Sequence, residues 1–280
     1  MTLDNNWFTE VADNIGSAFS LKIKAKLDEV QTPFQKIEIY DTTHYGKLMI
    51  IDGYTMVSTL DNFLYHEMMS HPVIYTHPKP DKVLIIGGGD CGTLQQVLKH
   101  PEVKLVQQVD IDEQVTRMAE KYFPELCTDN DDPRAELHFA DGLKWVQDAA
   151  DGYYDIIIVD STDPVGPAEG LFNQAFYRDC LRALSTGGLL CQQSESPLSH
   201  VKLIGEMKQA MRDAGFARTH TFDFPQPLYP SGWWSATLAS KSGEIKSFRE
   251  EASRHKPFAT KYYSYARHHV VIEGVPFLNT

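Results

Sequence analysis

The sequence predicts an α/β protein in two parts: a small N-terminal β unit, then a larger unit on an open parallel sheet. Three observations carry this. Before residue 60 the apolar residues alternate in short runs broken by turn signals such as Asp52-Gly53. From residue 82 onward, continuous apolar runs alternate with runs of helical period, which implies a sheet buried on both faces by helices. Aspartates follow these apolar runs, at the positions where an open α/β sheet binds its ligands.

Taken in order, the β unit comprises "AFSLKIKAKLDEV", "FQKIEIYD", "GKLMIID" and "YTMVST". Residues 62 to about 76 ("NFLYHEMMSHPVIYT") read as helical in their first half, with Phe63, Tyr65, Met68 and Met69 at helical spacing, and "HPKPDK" reads as a linker. The boundary is therefore set at residue 76, with an N-terminal β domain over 1–76 that ends in this helix and a second domain over 77–280. In the second domain the strands are "KVLIIG", "KLVQQVD", "AELHFA", "YDIIIVD" and "GLLCQQSES". The helices are "TLQQVLKH", "EQVTRMAEKYF", "LKWVQDA", "NQAFYRDCLRAL" and "KLIGEMKQAMRDAGF". Two further strand-like runs, "ARTHTFDF" and "WWSATLASK", follow.

The run "VLIIGGGDCGTLQQVL" holds G-x-G-x-x-G at Gly87, Gly89 and Gly92, a spacing that ordinarily cradles a pyrophosphate at a helix N-terminus. Asp90 inside that turn would repel one. Asp110, Asp141, Asp160 and Asp163 follow the other strands, so five carboxylates surround one crevice. Singly, each is as readily a helix cap or a turn residue. Together their mutual repulsion calls for a cationic ligand. Asp110, at the end of the second strand, suits a ribose, whose two hydroxyls can donate to one carboxylate. The crevice thus suits a nucleoside without phosphates beside a positive charge, with Asp141-Gly142 as a candidate for an adenine amino group.

Composition narrows the partners. A formal net charge of −12 argues against nucleic acid or an anionic membrane surface. No stretch approaches the roughly 20 apolar residues of a membrane span, and the acidic N-terminus carries no visible secretory signal. The four cysteines form no C-x-x-C, and Cys180 and Cys191 read as reduced core thiols of a cytoplasmic protein. "HEMMSH" fails as a zinc motif, because Ser70 stands where the second histidine of H-E-x-x-H belongs and His71 points to another side. His66 alone reads as a satisfied helix-face histidine. His268 and His269 read as a solvated pair, and Trp233 and Trp234 as core or ligand platform equally.

"YHEMMSHP", "VLIIGGGDCG", "DDPRAELHFADG", "YDIIIVDSTDPVGPAEGLF" and "YPSGWWSATLASK" occur in this order, and the chain from about residue 7 to about 241 resembles the spermidine synthases, a family of aminopropyltransferases. The resemblance implies a small N-terminal β domain, a methyltransferase-like Rossmann domain, and a homodimer or homotetramer. It implies transfer of the aminopropyl group of decarboxylated S-adenosylmethionine to putrescine, with no cofactor and no metal. Gln35 and Asp110 would hold the nucleoside, with Asp141, Gly142 and Pro167 on its adenine side. Tyr65, His66, Asp90, Asp160, Ser161, Thr162, Asp163 and Tyr229 would surround the amines, and Asp160 would accept the proton. Two positions depart from the family pattern: Asp110 stands where glutamate is usual, and Cys91 where glycine is usual. The rivals are other acceptors (cadaverine, agmatine, a triamine), a methyltransferase using intact S-adenosylmethionine, a nicotinamide-dependent oxidoreductase, and a polyamine binder without turnover.

Overall fold

The computed structural model describes residues 3–13, 15–162 and 166–278, with the backbone alone at 166 and 167. Five strands, β1 (Trp7–Ala12), β2 (Ser17–Gln31), β3 (Lys36–Thr42), β4 (Lys47–Ile51) and β5 (Tyr54–Ser58), form an antiparallel sheet in sequence order. Its alternation is real. Ile37, Ile39, Met49 and Ile51 face one core, while Leu48 and Ile50 face another with Leu228.

Helix α1 (Asn62–Thr76) leads into the second sheet. That sheet is built from β6 (Lys82–Gly87), β7 (Leu105–Asp110), β8 (Ala135–Phe139), β9 (Tyr154–Asp160), β10 (Leu184–Gln193), β11 (Arg218–Pro225) and β12 (Trp233–Ser240). Its order is β11-β12-β10-β9-β6-β7-β8, parallel from β10 to β8, with β12 and β11 added antiparallel at one edge. The helices are α2 (Gly92–Leu98), α3 (Glu113–Tyr122), α4 (Gly142–Asp148), α5 (Gln174–Ala183) and α6 (Val201–Ala214). Successive residues of the central strands divide between two cores: Val83, Ile85, Ile156 and Ile158 on one face, Leu84, Ile86, Ile157 and Val159 on the other. Burying each such side chain contributes about 1.5–3 kcal/mol. This is why the runs read as continuously apolar.

Packing moves the expected boundary. Met68, Met69, Val73 and Ile74 of α1 share a core with Val83 and Ile85 of β6, so the helix at 62–76 packs as part of the second domain. The helix also runs on through Pro72 to Thr76, whose hydroxyl donates to the Pro72 carbonyl at 2.8 Å. Glu67 fixes it from the far side, accepting the backbone N–H groups of Lys261, Tyr262 and Tyr263 at 2.7–2.8 Å. On the opposite side, Val115, Met118, Ala119 and Phe123 of α3 and the segment after it pack on the N-terminal sheet. That contact sets the β2–β3 loop over the end of β7.

Among the described residues one strand and two α-helices escaped the sequence reading: β1, α7 (Glu250–Arg254) and α8 (Tyr265–Glu273). In α8 the apolar residues Val270, Val271 and Ile272 are consecutive and show no helical period. The paired-histidine expectation is corrected here. His269 is exposed, but His268 is 0% exposed, stacked on Phe248 at 3.8 Å between ring centres, with Nδ1 2.7 Å from the Tyr263 hydroxyl. Burial pushes its pKa down to about 3. Cys180 and Cys191 are buried free thiols, as expected, and Trp234 is buried in the core. Among the described residues no helix is long and apolar enough to cross a membrane.

Candidate active site

β6 pairs with β7 on one side and β9 on the other, so the chain reverses its winding at β6. Open α/β sheets bind ligands beyond the strand ends at such a point. Here a cleft opens, lined by Gln35, Tyr65, Asp90, Asp110, Asp141, Gly142, Asp160, Ser161, Thr162 and Tyr229. The sequence-predicted residues therefore meet in one place, with three qualifications. His66 stands just behind the wall. Asp163 lies outside the described residues. Pro167 belongs to a 3₁₀ turn (Gly166–Phe172), and its side chain is not described.

The glycine loop is what brings Asp90 to Asp160. Gly87 has φ +81°, and a Cβ there would lie 2.2 Å from the Asp160 carbonyl oxygen. The Gly88 N–H donates to that same oxygen at 2.7 Å. Asp90 then turns back on its own helix: Oδ1 accepts from Gly92 N at 2.8 Å, and Oδ2 sits 3.0 Å from His66 Nε2. A carboxylate thus occupies the amide that a phosphate would need, which explains an aspartate in a phosphate-type turn. A Cβ on Gly92 would lie 2.1 Å from the His66 ring. Burial opposes a charge on His66, but the Asp90 carboxylate outweighs it and the imidazole's pKa is raised. His71, by contrast, faces His100 (Nδ1 to Nε2, 2.9 Å), so the two histidines of "HEMMSH" do point to different sides. Cys91 adopts φ +67°, a conformation that suits glycine better than cysteine.

Asp160 is partly buried at the end of β9 and held by two hydroxyl donors. Its Oδ1 accepts from the Tyr65 hydroxyl and its Oδ2 from the Thr93 hydroxyl, both at 2.6 Å. Burial first, and the Asp90 charge second, raise its pKa above the ordinary carboxylate range. Burial also drives the Tyr65 phenol well up, so Tyr65 keeps its proton and donates it.

Asp110 ends β7 on the nucleoside side, with Oδ1 accepting from Asp112 N at 2.8 Å. Burial pushes its pKa up to about 6, and the neighbouring Asp112 adds to this. Gln35 reaches the cleft from the N-terminal domain, its amide donating to Asp112 Oδ2 at 3.1 Å. Asp141 is exposed and caps α4, with Oδ1 accepting from Leu143 N and Lys144 N at 2.8 and 3.4 Å. Ser161 Oγ donates to the Thr162 carbonyl. Tyr229 donates its hydroxyl to the Met56 carbonyl at 2.8 Å, so its ring faces the cleft edge, against Tyr65 and Trp234.

A second cavity adjoins the first and shares Met56, Tyr65, Ser161, Thr162 and Tyr229 with it. Its outer part holds Trp234, which the sequence reads as core or ligand platform, and Glu10, Gln193, Glu195 and His200, which the sequence reading did not single out. Glu10 accepts from the Thr55 N–H and hydroxyl, both at 2.7 Å. Glu195 is 2% exposed and has φ +62°, a strained backbone for a buried acid. It closes "GLLCQQSES", just past β10, and the strand-end rule that found the aspartates applies to it too.

Comparison with known proteins agrees with this geometry. Residues 62–249 match the spermine/spermidine synthase domain, and residues 6–59 the spermidine synthase tetramerisation domain, which divides the chain just before α1. The chain is 66% identical over 259 residues to a polyamine aminopropyltransferase of Methylococcus capsulatus, covering 92% of this chain and 90% of that one. It is 63% identical to one of Thioalkalivibrio sulfidiphilus, covering 95% and 94%. Among solved structures, a spermidine synthase in complex with the transition-state analogue AdoDATO superposes with a TM-score of 0.93 at 33% identity, covering 99% and 95%. Spermidine synthase from Thermotoga maritima superposes with a TM-score of 0.90 at 34% identity, covering 97% and 91%. The chain belongs to the spermine/spermidine synthase family of aminopropyltransferases.

Proposed function

We propose that the protein transfers the aminopropyl group of decarboxylated S-adenosylmethionine to putrescine, giving spermidine and methylthioadenosine. The observation that carries this is the wall shared by the first cleft and a second cavity that bears Glu10 and Glu195: Tyr65 lies on that wall and donates to Asp160 of the first cleft. The donor would lie in the first cleft, its ribose at Gln35 and Asp110, its adenine at Asp141, Gly142 and Pro167, and its ammonium near Asp90. The diamine would extend through the second cavity, its far ammonium toward Glu10 and Glu195 and its reacting nitrogen beside Asp160, with Asp163 as a further anion.

The sulfonium already activates the donor carbon. The harder task is the nucleophile, since an alkylammonium of lysine-like pKa is neutral in only about one part in a few thousand at pH 7, a cost of about 4–5 kcal/mol. Asp160 takes that proton, directly or through Tyr65, whose hydroxyl accepts from the amine as it gives its own proton to Asp160 Oδ1. The amine nitrogen then forms its bond to carbon as the carbon–sulfur bond breaks, and its electron pair stays on sulfur. Alignment of the two reactants along the shared wall supplies much of the remaining acceleration. No cofactor enters this reading. We read the assembly as a homodimer or homotetramer, supported by the match of residues 6–59, and the location as cytoplasmic. The test is a panel of putrescine, cadaverine, agmatine and spermidine with the decarboxylated donor, products identified by mass spectrometry. Putrescine should show the highest kcat/KM, and a higher value for another amine would reassign the acceptor.

A further inference from the structure

The proposed reaction needs Asp160 empty of its proton before each turnover, yet its surroundings work against that. It is partly buried, and among the described residues the ionisable groups facing it are Tyr65 and His66 from α1, Asp90 from the glycine loop, Asp110 from β7 and Cys191 from β10. Of these only His66 can carry a positive charge, and His66 is already set against Asp90. A buried carboxylate beside a second one ordinarily takes up a proton, and donors to its oxygens are what keep it ionised. Tyr65 supplies one donor, at Oδ1. The other is Thr93, at Oδ2.

Thr93 is 0% exposed and lies in the first turn of α2, one residue after the glycine that packs against the His66 ring. Its carbonyl accepts from the Ser70 hydroxyl at 3.4 Å, which ties this turn to α1. Its hydroxyl has a single proton, and the 2.6 Å contact spends it on Asp160. We propose that Thr93 is a positioning residue for the transfer reaction: it holds Oδ2 of Asp160, keeps the carboxylate ionised, and leaves Oδ1, on the Tyr65 side, as the oxygen that receives the amine proton. The step balances without any other reactant, since the amine loses one proton, Asp160 gains it at Oδ1, and Thr93 keeps its own throughout. The donors act in the same direction on the carboxyl, both lowering its proton affinity against burial and Asp90.

This inference rests on the reading of the cleft as an aminopropyl-transfer site. Its test compares Thr93→Val, which keeps the shape and removes the hydroxyl, with Thr93→Ser, which keeps the hydroxyl and removes the methyl. Methylthioadenosine release is followed against pH with the decarboxylated donor and putrescine. In Thr93→Val the ascending limb of the pH–rate profile should move to higher pH and turnover at pH 7 should fall about tenfold, the loss expected for one hydrogen bond to a charged group. The KM for the nucleoside should stay within about twofold, because Thr93 does not line the nucleoside cleft. Thr93→Ser should restore the limb. A limb in Thr93→Val that coincides with wild type, or an equal loss in both variants, overturns the inference. If Thr93→Val proves unfolded, the serine variant decides alone, since a purely structural role for the methyl predicts lost turnover there. Failure of the wild-type protein to release methylthioadenosine with any diamine is a different result, and it removes the underlying reading.

Discussion

Asp110 should make nucleoside binding depend on pH. Its carboxyl stands at about 6 in the unliganded protein, above the ordinary aspartate value, because burial disfavours its charge. The folded state therefore holds this proton more tightly than the unfolded chain. The stability the carboxyl contributes is complete below about pH 4 and is lost as pH rises through about 6. Ribose hydroxyls donate hydrogen bonds, so they favour the ionised form. With a value of about 6, about one molecule in eleven is ionised at pH 5 and nearly all at pH 8. The dissociation constant of methylthioadenosine should thus be about tenfold weaker at pH 5 than at pH 8, and binding near pH 6 should release protons. Methylthioadenosine carries neither the sulfonium nor the amine, so it avoids their charge interactions with Asp90 and Asp160. Titration calorimetry over pH 5–8 in buffers of different ionisation enthalpy measures both quantities. Asp110→Asn should bind more weakly by about 1.5–3 kcal/mol at pH 8 and show a flat profile. A wild-type profile as flat as that of the variant would refute the assignment of the ribose to Asp110.

Other expectations follow from the same cleft. Asp160→Asn keeps shape and removes the base, so turnover should fall about a hundredfold to ten-thousandfold with little change in nucleoside binding, and near-normal turnover would move the proton acceptor elsewhere. Asp90→Asn should weaken the decarboxylated donor more than intact S-adenosylmethionine, because a carboxylate brought within about 4 Å of Asp90 meets repulsion of about 1 kcal/mol in water and about 4 at a protein surface. Equal weakening of both ligands by calorimetry would leave Asp90 a loop-holding role with His66 only. Glu195→Gln should raise the KM for putrescine severalfold while leaving that for the nucleoside unchanged, and the reverse pattern in steady-state kinetics would detach the second cavity from the amine.

Much of this architecture could be read in the residues because local pattern and tertiary role coincide there. "VLIIG" and "DIIIVD" are central strands buried on both faces, which is why each is continuously apolar. The aspartates were legible for a related reason: strand ends in a parallel sheet converge, so chain order alone gathers Asp90, Asp110 and Asp160. What escaped depended on distant partners. β1 is half-exposed, and Glu10 gains its place only by reaching Thr55. Glu195 follows β10 in a polar run, where the strand-end rule applies but no hydrophobic period foretells its burial, which comes from the fold closing over it. His268 reads as solvated beside exposed His269, and the ring of Phe248, twenty residues away in sequence, and the Tyr263 hydroxyl make it core. The position of α1 shows the same limit. Its sequence follows the β unit, yet its apolar face matches the second sheet.

Aminopropyl transfer in this carboxylate-lined crevice, from a sulfonium nucleoside to a diamine, has one direct test. The most direct measurement incubates the purified protein with decarboxylated S-adenosylmethionine and isotope-labelled putrescine, in the presence of a chelator, and counts both products by mass spectrometry. Labelled spermidine and methylthioadenosine should appear in equal amounts, and both should fall together in Asp160→Asn. Methylthioadenosine without labelled spermidine, or neither product from a folded sample, would contradict it.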